Sequence, residues 1–186
     1  QAVARLLSDR SPDLLVVTGL GSPAYDVMAA GDDERNFYLW GAMGGAAMVG
    51  LGLAKAQPKK SVLVVTGDGE AMMGLGSLAT IAVHKPANLA IAVLDNGRFG
   101  ETGMQASHTG LGVEIDKVAA SLGFAWAESI ADLAGVDRLR ERIGARAGAA
   151  LGLLRITREN PPRVLPPRDN VHLKNRFRAA LGFPTN

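Results

Sequence analysis

The chain predicts a three-layer α/β/α fold built on a mostly parallel sheet of about six strands. Three observations carry that expectation. Residues 61–66 and 88–94 are apolar runs without polar alternation, the pattern of strands buried on both faces. One helix-length segment lies between them, enough for the crossover that joins parallel neighbours. Apolar runs and helix-length segments then alternate along most of the 186 residues, 47% of which are hydrophobic, enough to bury a core on both sides of a sheet.

Taken in order, residues 14–18 form a strand from an unbroken aliphatic run, and residues 36–40 a second one rich in aromatic side chains. Residues 44–55 are a tightly packed, glycine-rich helix. The stretch 41–54 comes nearest to a membrane span, but it is short, glycine-rich and followed by Lys55, so a buried helix is expected. The strands 61–66 and 88–94 enclose a helix over 70–84. A polar loop occupies 97–112, followed by a helix at 114–122, a short strand at 124–127, a helix at 131–147 and a final strand at 150–157. Pro161, Pro162, Pro166 and Pro167 force an extended connector, and residues 170–181 close as a short helix. The expected organisation is one domain over 1–160, with the connector and C-terminal helix of 161–186 packed on it.

Composition removes several function classes. A formal charge of +2 is too small to imply nucleic acid, and the late basic residues alternate with carboxylates and prolines as on a solvated face. There is no cysteine, which excludes a disulfide framework, a thiolate zinc site and a cysteine-ligated iron–sulfur cluster within these residues. No secretory signal and no membrane-length apolar stretch is visible, so a cytoplasmic location is expected.

Chemistry concentrates where the two central strands end. Gly67-Asp68-Gly69 closes the first and Asp95-Asn96-Gly97 the second, with residues 70–95 between Gly69 and Asn96. Parallel neighbours bring such ends together at the carboxyl edge, where open α/β sheets bind ligands. One carboxylate oxygen and one amide oxygen there suit Mg²⁺, which takes few protein ligands and fills its shell with phosphate oxygens and water. The glycines let the backbone approach closely, and a helix beginning near Glu70 would aim free N–H groups at a diphosphate. Either tripeptide alone reads as a tight turn; the pair at this spacing favours metal and diphosphate.

A competing motif, Gly19-Leu20-Gly21-Ser22-Pro23-Ala24, follows a strand and matches the dinucleotide fingerprint. Asp32, Asp33 and Glu34 fall before the next strand rather than at its end, which argues against a ribose-binding acid. Two readings of Ser22 stay open: on its residues, a cap of the following helix with Pro23 in its first turn, or, as the family resemblance carried by the motifs below implies, a contact of its hydroxyl and the Gly21 amide to the diphosphate.

The Gly67-Asp68-Gly69 and Asn96 pair, together with Gly41-Ala42-Met43-Gly44, Leu94 through Gly97 and Gly103-Met104-Gln105, resembles the signature of thiamine diphosphate-dependent decarboxylases over roughly residues 14–160. Including the run from Leu75 to Ile81, the likeness is greatest to the sulfopyruvate decarboxylase β subunit and the matching half of phosphonopyruvate decarboxylase. The resemblance implies the thiamine diphosphate-binding fold and a site assembled residue by residue. Asp68, Asn96 and the Arg98 main-chain carbonyl would ligate Mg²⁺, and the amides of Gly69, Glu70 and Ala71 would hold phosphate oxygens. Met43 would wedge between the two cofactor rings and the Gly41 carbonyl would accept from the pyrimidine amino group, making these two the candidate catalytic positions. On its residues alone, without the resemblance, Met43 is better read as a core residue at helical spacing from Met48.

The same resemblance implies an absent part. A glutamate on a separate pyrimidine-binding domain activates the cofactor in this family, and the dozen or so residues before the first strand cannot form that domain. A partner subunit supplying the glutamate is therefore expected, with a small 2-oxo acid as substrate, self-association, and neither nucleic acid nor membrane as partner. Arg98, Glu101, Thr102, Gln105 and His108 can border the substrate pocket, whereas His84 and His172 read as structural or surface residues. A decarboxylase subunit, a carboligase subunit and a non-catalytic cofactor-binding module are the open alternatives.

Overall fold

The computed structural model describes residues 1–159 and 161–185. In chain order the elements are α1 (Ala2–Leu6), β1 (Leu14–Thr18), α2 (Ser22–Ala29), β2 (Asn36–Tyr38), α3 (Ala46–Ala56), β3 (Ser61–Gly67), α4 (Asp68–Met73), α5 (Gly76–His84) and β4 (Leu89–Asp95). They continue as β5 (Arg98–Phe99), β6 (Gln105–Ala106), a 3₁₀ turn (Thr109–Leu111), α6 (Ile115–Ser121), β7 (Trp126–Ile130), α7 (Leu133–Ala145), β8 (Ala150–Arg155) and α8 (Asn170–Ala180).

Among the described residues, six strands form one parallel sheet in the order β2-β1-β3-β4-β8-β7. The apolar runs split by the two-residue strand period into two cores. Val16, Leu63, Val65, Ala92 and Leu154 face α1, α2 and α7. Val17, Val64, Ile91, Val93, Leu151 and Leu153 face α3, α5 and α6. That is the three-layer parallel architecture the uninterrupted apolar strands imply.

Several elements differ from the sequence expectation. The helix expected over 70–84 is two helices, because the chain turns at Gly74 and Leu75. Gly74 passes so close to Gly44 that a Cβ would lie 2.2 Å from the Gly44 carbonyl oxygen, a backbone contact only glycine permits there. The second strand stops at Tyr38, and the short strand expected at 124–127 lies at Trp126–Ile130, paired to β8. The 97–112 loop contains the antiparallel β5–β6 pair, and α1 precedes β1. At the other end, α8 buries Leu173 and Phe177, the latter edge-on to Phe37 at 5.7 Å. Arg176 of α8 pairs with Asp32 at 2.6 Å. The boundary expected at residue 160 falls outside the described residues.

The turn into β2 carries a pH-sensitive ion pair. Asp33 accepts from the Arg35 backbone N–H and Nε, each at 2.8 Å, and from Nη2 at 2.6 Å, with Arg10 Nη1 3.8 Å away. Arg35 therefore holds the Asp33 carboxyl down at about 2. A lowered folded pKa stabilises the protein above the unfolded value near 3.8, and that stability is lost as pH falls toward 2. Asp33→Asn should lower unfolding free energy at pH 7 by about 1 kcal/mol after solvent screening, with the difference fading between pH 4 and 2. Urea titrations across that range measure it.

Candidate functional site

The strand order sets the position of the functional cleft. From β1 the chain moves outward to β2, whereas from β3 it moves the other way to β4, so the crevice between the β1 and β3 tips is a topological switch point. A cleft of about 130 Å³ lies at this carboxyl edge. Leu20, Ser22 and Pro23 enter it after β1, Met43 after β2, residues 67–70 at the end of β3, residues 96 and 98–102 after β4, and Ile156 after β8. A larger hollow of about 560 Å³ sits at the amino edge of the sheet, where Arg5 and Arg140 both pair with Asp137. The chemistry-bearing residues are in the smaller one.

Gly67, Asp68, Gly69, Glu70, Asn96, Arg98, Ser22 and Met43 all line this cleft. Gly21, Gly41 and Ala71 do not. Gly21 caps the start of α2, Gly41 lies in the exposed turn before α3, and Ala71 packs toward the α3–α5 core. The register pairs Gly67 with Leu94, so Asp68 and Asn96 emerge within two residues of the same rung of adjacent strands.

Asp68 is 3% exposed, and its two carboxylate oxygens have different surroundings. Oδ2 accepts from Ser107 Oγ, and from Thr109 Oγ1 at 2.9 Å. Among the described residues no other side chain bonds Oδ1. Burial pushes the Asp68 carboxyl above the ordinary carboxylate range against the pull of the two hydroxyls, and the nearby Asp95 adds to the rise. Asn96 Oδ1 accepts from the Arg98 N–H at 2.9 Å, which fixes the amide and leaves a lone pair on the oxygen. No cluster of three or more His, Asp or Glu side chains that could hold a metal occurs among the described residues. A metal in this cleft would rest on one carboxylate, neutral oxygens and the oxygens of its ligand, the donor set of Mg²⁺ with a diphosphate.

Glu70 has a role the sequence did not reveal. Its Oε2 accepts from the Leu20 N–H and from Thr66 Oγ1, both at 2.9 Å, and Oε1 accepts from the Gly44 N–H at 3.3 Å. One buried carboxylate thus ties the loops after β1 and β2 to the end of β3. Desolvation raises its pKa, opposed by those same donors. Gly19 makes room for it, since a Cβ there would lie 1.7 Å from Oε2.

The open readings from sequence resolve in part. Met43 is 46% exposed and outside α3, and Met48 is 42% exposed, so the two are not a buried pair in the core. Ser22 does not cap α2; its hydroxyl donates to Glu101 Oε1 at 3.3 Å, and Glu101 in turn pairs with Arg163 at 3.2 Å. Asp32 and Asp33, weighed as ribose ligands, are committed to Arg176, Tyr38 and Arg35. Arg98, Glu101 and Thr102 border the cleft, while Gln105 and His108 do not. His108 stands edge-on to Phe99 at 6.2 Å, and His84 faces Lys55 at 3.5 Å. Ser107 and Thr109 escaped the sequence reading because hydroxyls in a polar loop carry no distinguishing pattern.

A doubly wound sheet with a cleft at its switch point, buried acids at the strand tip and glycine-lined turns defines the class of a phosphate-type cofactor-binding domain. The chain belongs to the thiamine pyrophosphate enzyme family: residues 25–153 match its C-terminal TPP binding domain, so thiamine diphosphate is the cofactor of this fold. It is 44% identical over 123 residues to phosphonopyruvate decarboxylase of Streptomyces hygroscopicus, covering 66% of this chain and 30% of that one. It is 40% identical over 109 residues to sulfopyruvate decarboxylase subunit beta of Methanocaldococcus jannaschii, covering 59% and 57%. The chain therefore spans between 30% and 57% of the lengths of these two relatives.

Solved structures share the fold. Benzoylformate decarboxylase from Polynucleobacter necessarius superposes with a TM-score of 0.69 at 16% identity, over 87% of this chain and 33% of that one. 2-Oxoglutarate:ferredoxin oxidoreductase from Magnetococcus marinus gives 0.68 at 18% identity, over 100% and 76%. No helix among the described residues is long and apolar enough to cross a membrane.

Proposed function

We propose that this chain is the diphosphate- and magnesium-binding subunit of a thiamine diphosphate-dependent 2-oxo acid decarboxylase of the sulfopyruvate or phosphonopyruvate type. The observation that carries the reading is the convergence of Asp68 and Asn96 at one cleft, in a chain 40% and 44% identical to relatives bearing those names. Asp68 Oδ1, the Asn96 amide oxygen and the Arg98 carbonyl hold Mg²⁺. The amides of Gly69, Glu70 and Ala71 at the start of α4 hold phosphate oxygens. Met43, half-exposed and lining the cleft, would pack against the cofactor rings, and the Gly41 carbonyl in the adjoining turn would accept from the pyrimidine amino group.

When bound, thiamine diphosphate supplies the electron sink that lets carbon dioxide leave a 2-oxo acid. The chain's own contribution is to hold and dry that site. Leu20, Leu94, Phe99 and Ile156 give the cleft apolar walls, which favours a step in which charge disappears. Arg98 provides a cation beside the metal position for an anionic substrate group.

The reading includes a partner subunit that carries the activating glutamate and completes the substrate pocket, an arrangement supported by the subunit naming of the methanogen relatives. The purified chain with Mg²⁺ and thiamine diphosphate should release no carbon dioxide from sulfopyruvate, phosphonopyruvate or pyruvate, and should do so when a pyrimidine-binding subunit is added. Steady turnover by the chain alone would reject the partner requirement. Turnover by neither would reject the decarboxylase assignment.

A further inference from the structure

Two hydroxyls outside the proposed cofactor shell sit against the inner oxygen of Asp68. Ser107 Oγ contacts Asp68 Oδ2, and Thr109 Oγ1 lies 2.9 Å from the same oxygen, 3.0 Å from Ser107 Oγ and 2.7 Å from Asp95 Oδ1. All four residues are buried, with Ser107 fully enclosed. Asp95 is itself anchored: Oδ1 also accepts from the Gly97 N–H at 2.9 Å, and Oδ2 accepts from Arg155 Nη1. A continuous line of polar contacts thus crosses three strand tips, from Arg155 at the end of β8 through Asp95 of β4 to Asp68 at the end of β3.

The fold brings these residues together deliberately far along the chain. Ser107 and Thr109 lie 39 and 41 positions from Asp68. The β5–β6 pair turns the loop back, the Ser107 N–H donates to the Gly97 carbonyl at 3.0 Å, and Gly110 passes so near that a Cβ would meet the same oxygen at 2.3 Å. The segment is therefore seated on the tip of β4 by its backbone, and the two hydroxyls inherit fixed positions.

Each hydroxyl has one proton to give. If Thr109 donates to Asp95, Ser107 donates to Asp68. If Thr109 donates to Asp68, Asp95 keeps the Gly97 amide and Arg155. Either way Oδ2 of Asp68 retains a donor, and the carboxylate cannot turn without breaking it. We infer that Ser107 and Thr109 are positioning residues for Asp68, holding Oδ2 inward so that Oδ1 is presented to the metal. This rests on the magnesium reading above, and it adds a supporting layer that the metal ligands alone do not specify. Outer residues of this kind set ligand orientation, and their loss weakens metal binding roughly 10- to 100-fold.

The test uses the full chain with Mn²⁺ as a paramagnetic stand-in for Mg²⁺, its binding in the presence of thiamine diphosphate followed by electron paramagnetic resonance. Thr109→Val and Ser107→Ala should each weaken Mn²⁺ binding roughly 10- to 100-fold, and Thr109→Ser should restore most of it. Circular dichroism and melting without metal report whether each variant folds; should Thr109→Val fail, Ser107→Ala removes one oxygen and carries the test. Wild-type affinity in the two hydroxyl-free variants, with Asp68→Asn deficient, overturns this inference alone. So does a Thr109→Ser variant as weak as Thr109→Val. Wild-type affinity in Asp68→Asn, or no Mn²⁺ bound by the wild-type chain, overturns the magnesium reading and this inference with it.

Discussion

Asp68→Asn should reduce magnesium-dependent binding of thiamine diphosphate at least about 100-fold, more than loss of a residue behind the metal ligands, while leaving the fold intact. The side chains are nearly isosteric, and the Asn carbonyl can still accept from Ser107 or Thr109 where Asp68 Oδ2 does now. What disappears is the anionic oxygen, and Mg²⁺ binds too few protein ligands to do without its carboxylate. The buried charge also carries a desolvation penalty in the metal-free protein, in company with Asp95. The variant should therefore melt no lower than wild type without metal, and should lack the rise in melting temperature expected of wild type with Mg²⁺ and thiamine diphosphate. Calorimetric titration and thermal melts measure both. An unchanged affinity would remove Asp68 from the metal site.

Glu70→Ala should lower stability by about 3 kcal/mol, or roughly 6–12 °C in melting temperature for a chain of this size. The substitution strands three donors, the N–H groups of Leu20 and Gly44 and the Thr66 hydroxyl, at a place where the carboxylate is 4% exposed. Each lost partner counts because a buried donor without an acceptor forfeits its hydration as well. Glu70→Gln should recover only part of the loss. Its single carbonyl oxygen replaces two acceptors, and its NH₂ faces an N–H or O–H. Gly19 sharpens the test: Gly19→Ala places a methyl against Oε2 and should destabilise wild type, but much less so in the Glu70→Ala background, where the conflicting oxygen is gone. Additive effects in this double-mutant cycle would show that Glu70 does not organise the two loops.

Much of this was legible along the chain. Residues 61–66 and 88–94 announce buried parallel strands, found at Ser61–Gly67 and Leu89–Asp95, because neither face of such a strand meets water, so polar alternation is absent. Asp68 and Asn96 are legible for the same reason: parallel strands joined by one crossover must end on the same edge. The break at Gly74 was hidden because it answers to Gly44, thirty residues earlier, and not to any neighbour in sequence. Ser22 read as a helix cap by local chemistry, yet its hydroxyl turned to Glu101, a loop residue 79 positions away.

The sequence by itself determined the layer architecture, the two strand tips that share one edge, and the placing of an acid and an amide at the cleft there, because all three follow from periodicity and short-range connection. Only the tertiary structure decided which groups stand behind them. Glu70 binding two distant loops, and Ser107 and Thr109 returning through a hairpin to Asp68, are long-range hydrogen bonds whose partners share no spacing rule. Such bonds depend on where the backbone brings a donor and an acceptor within about 3 Å, and that is settled by packing rather than by pattern.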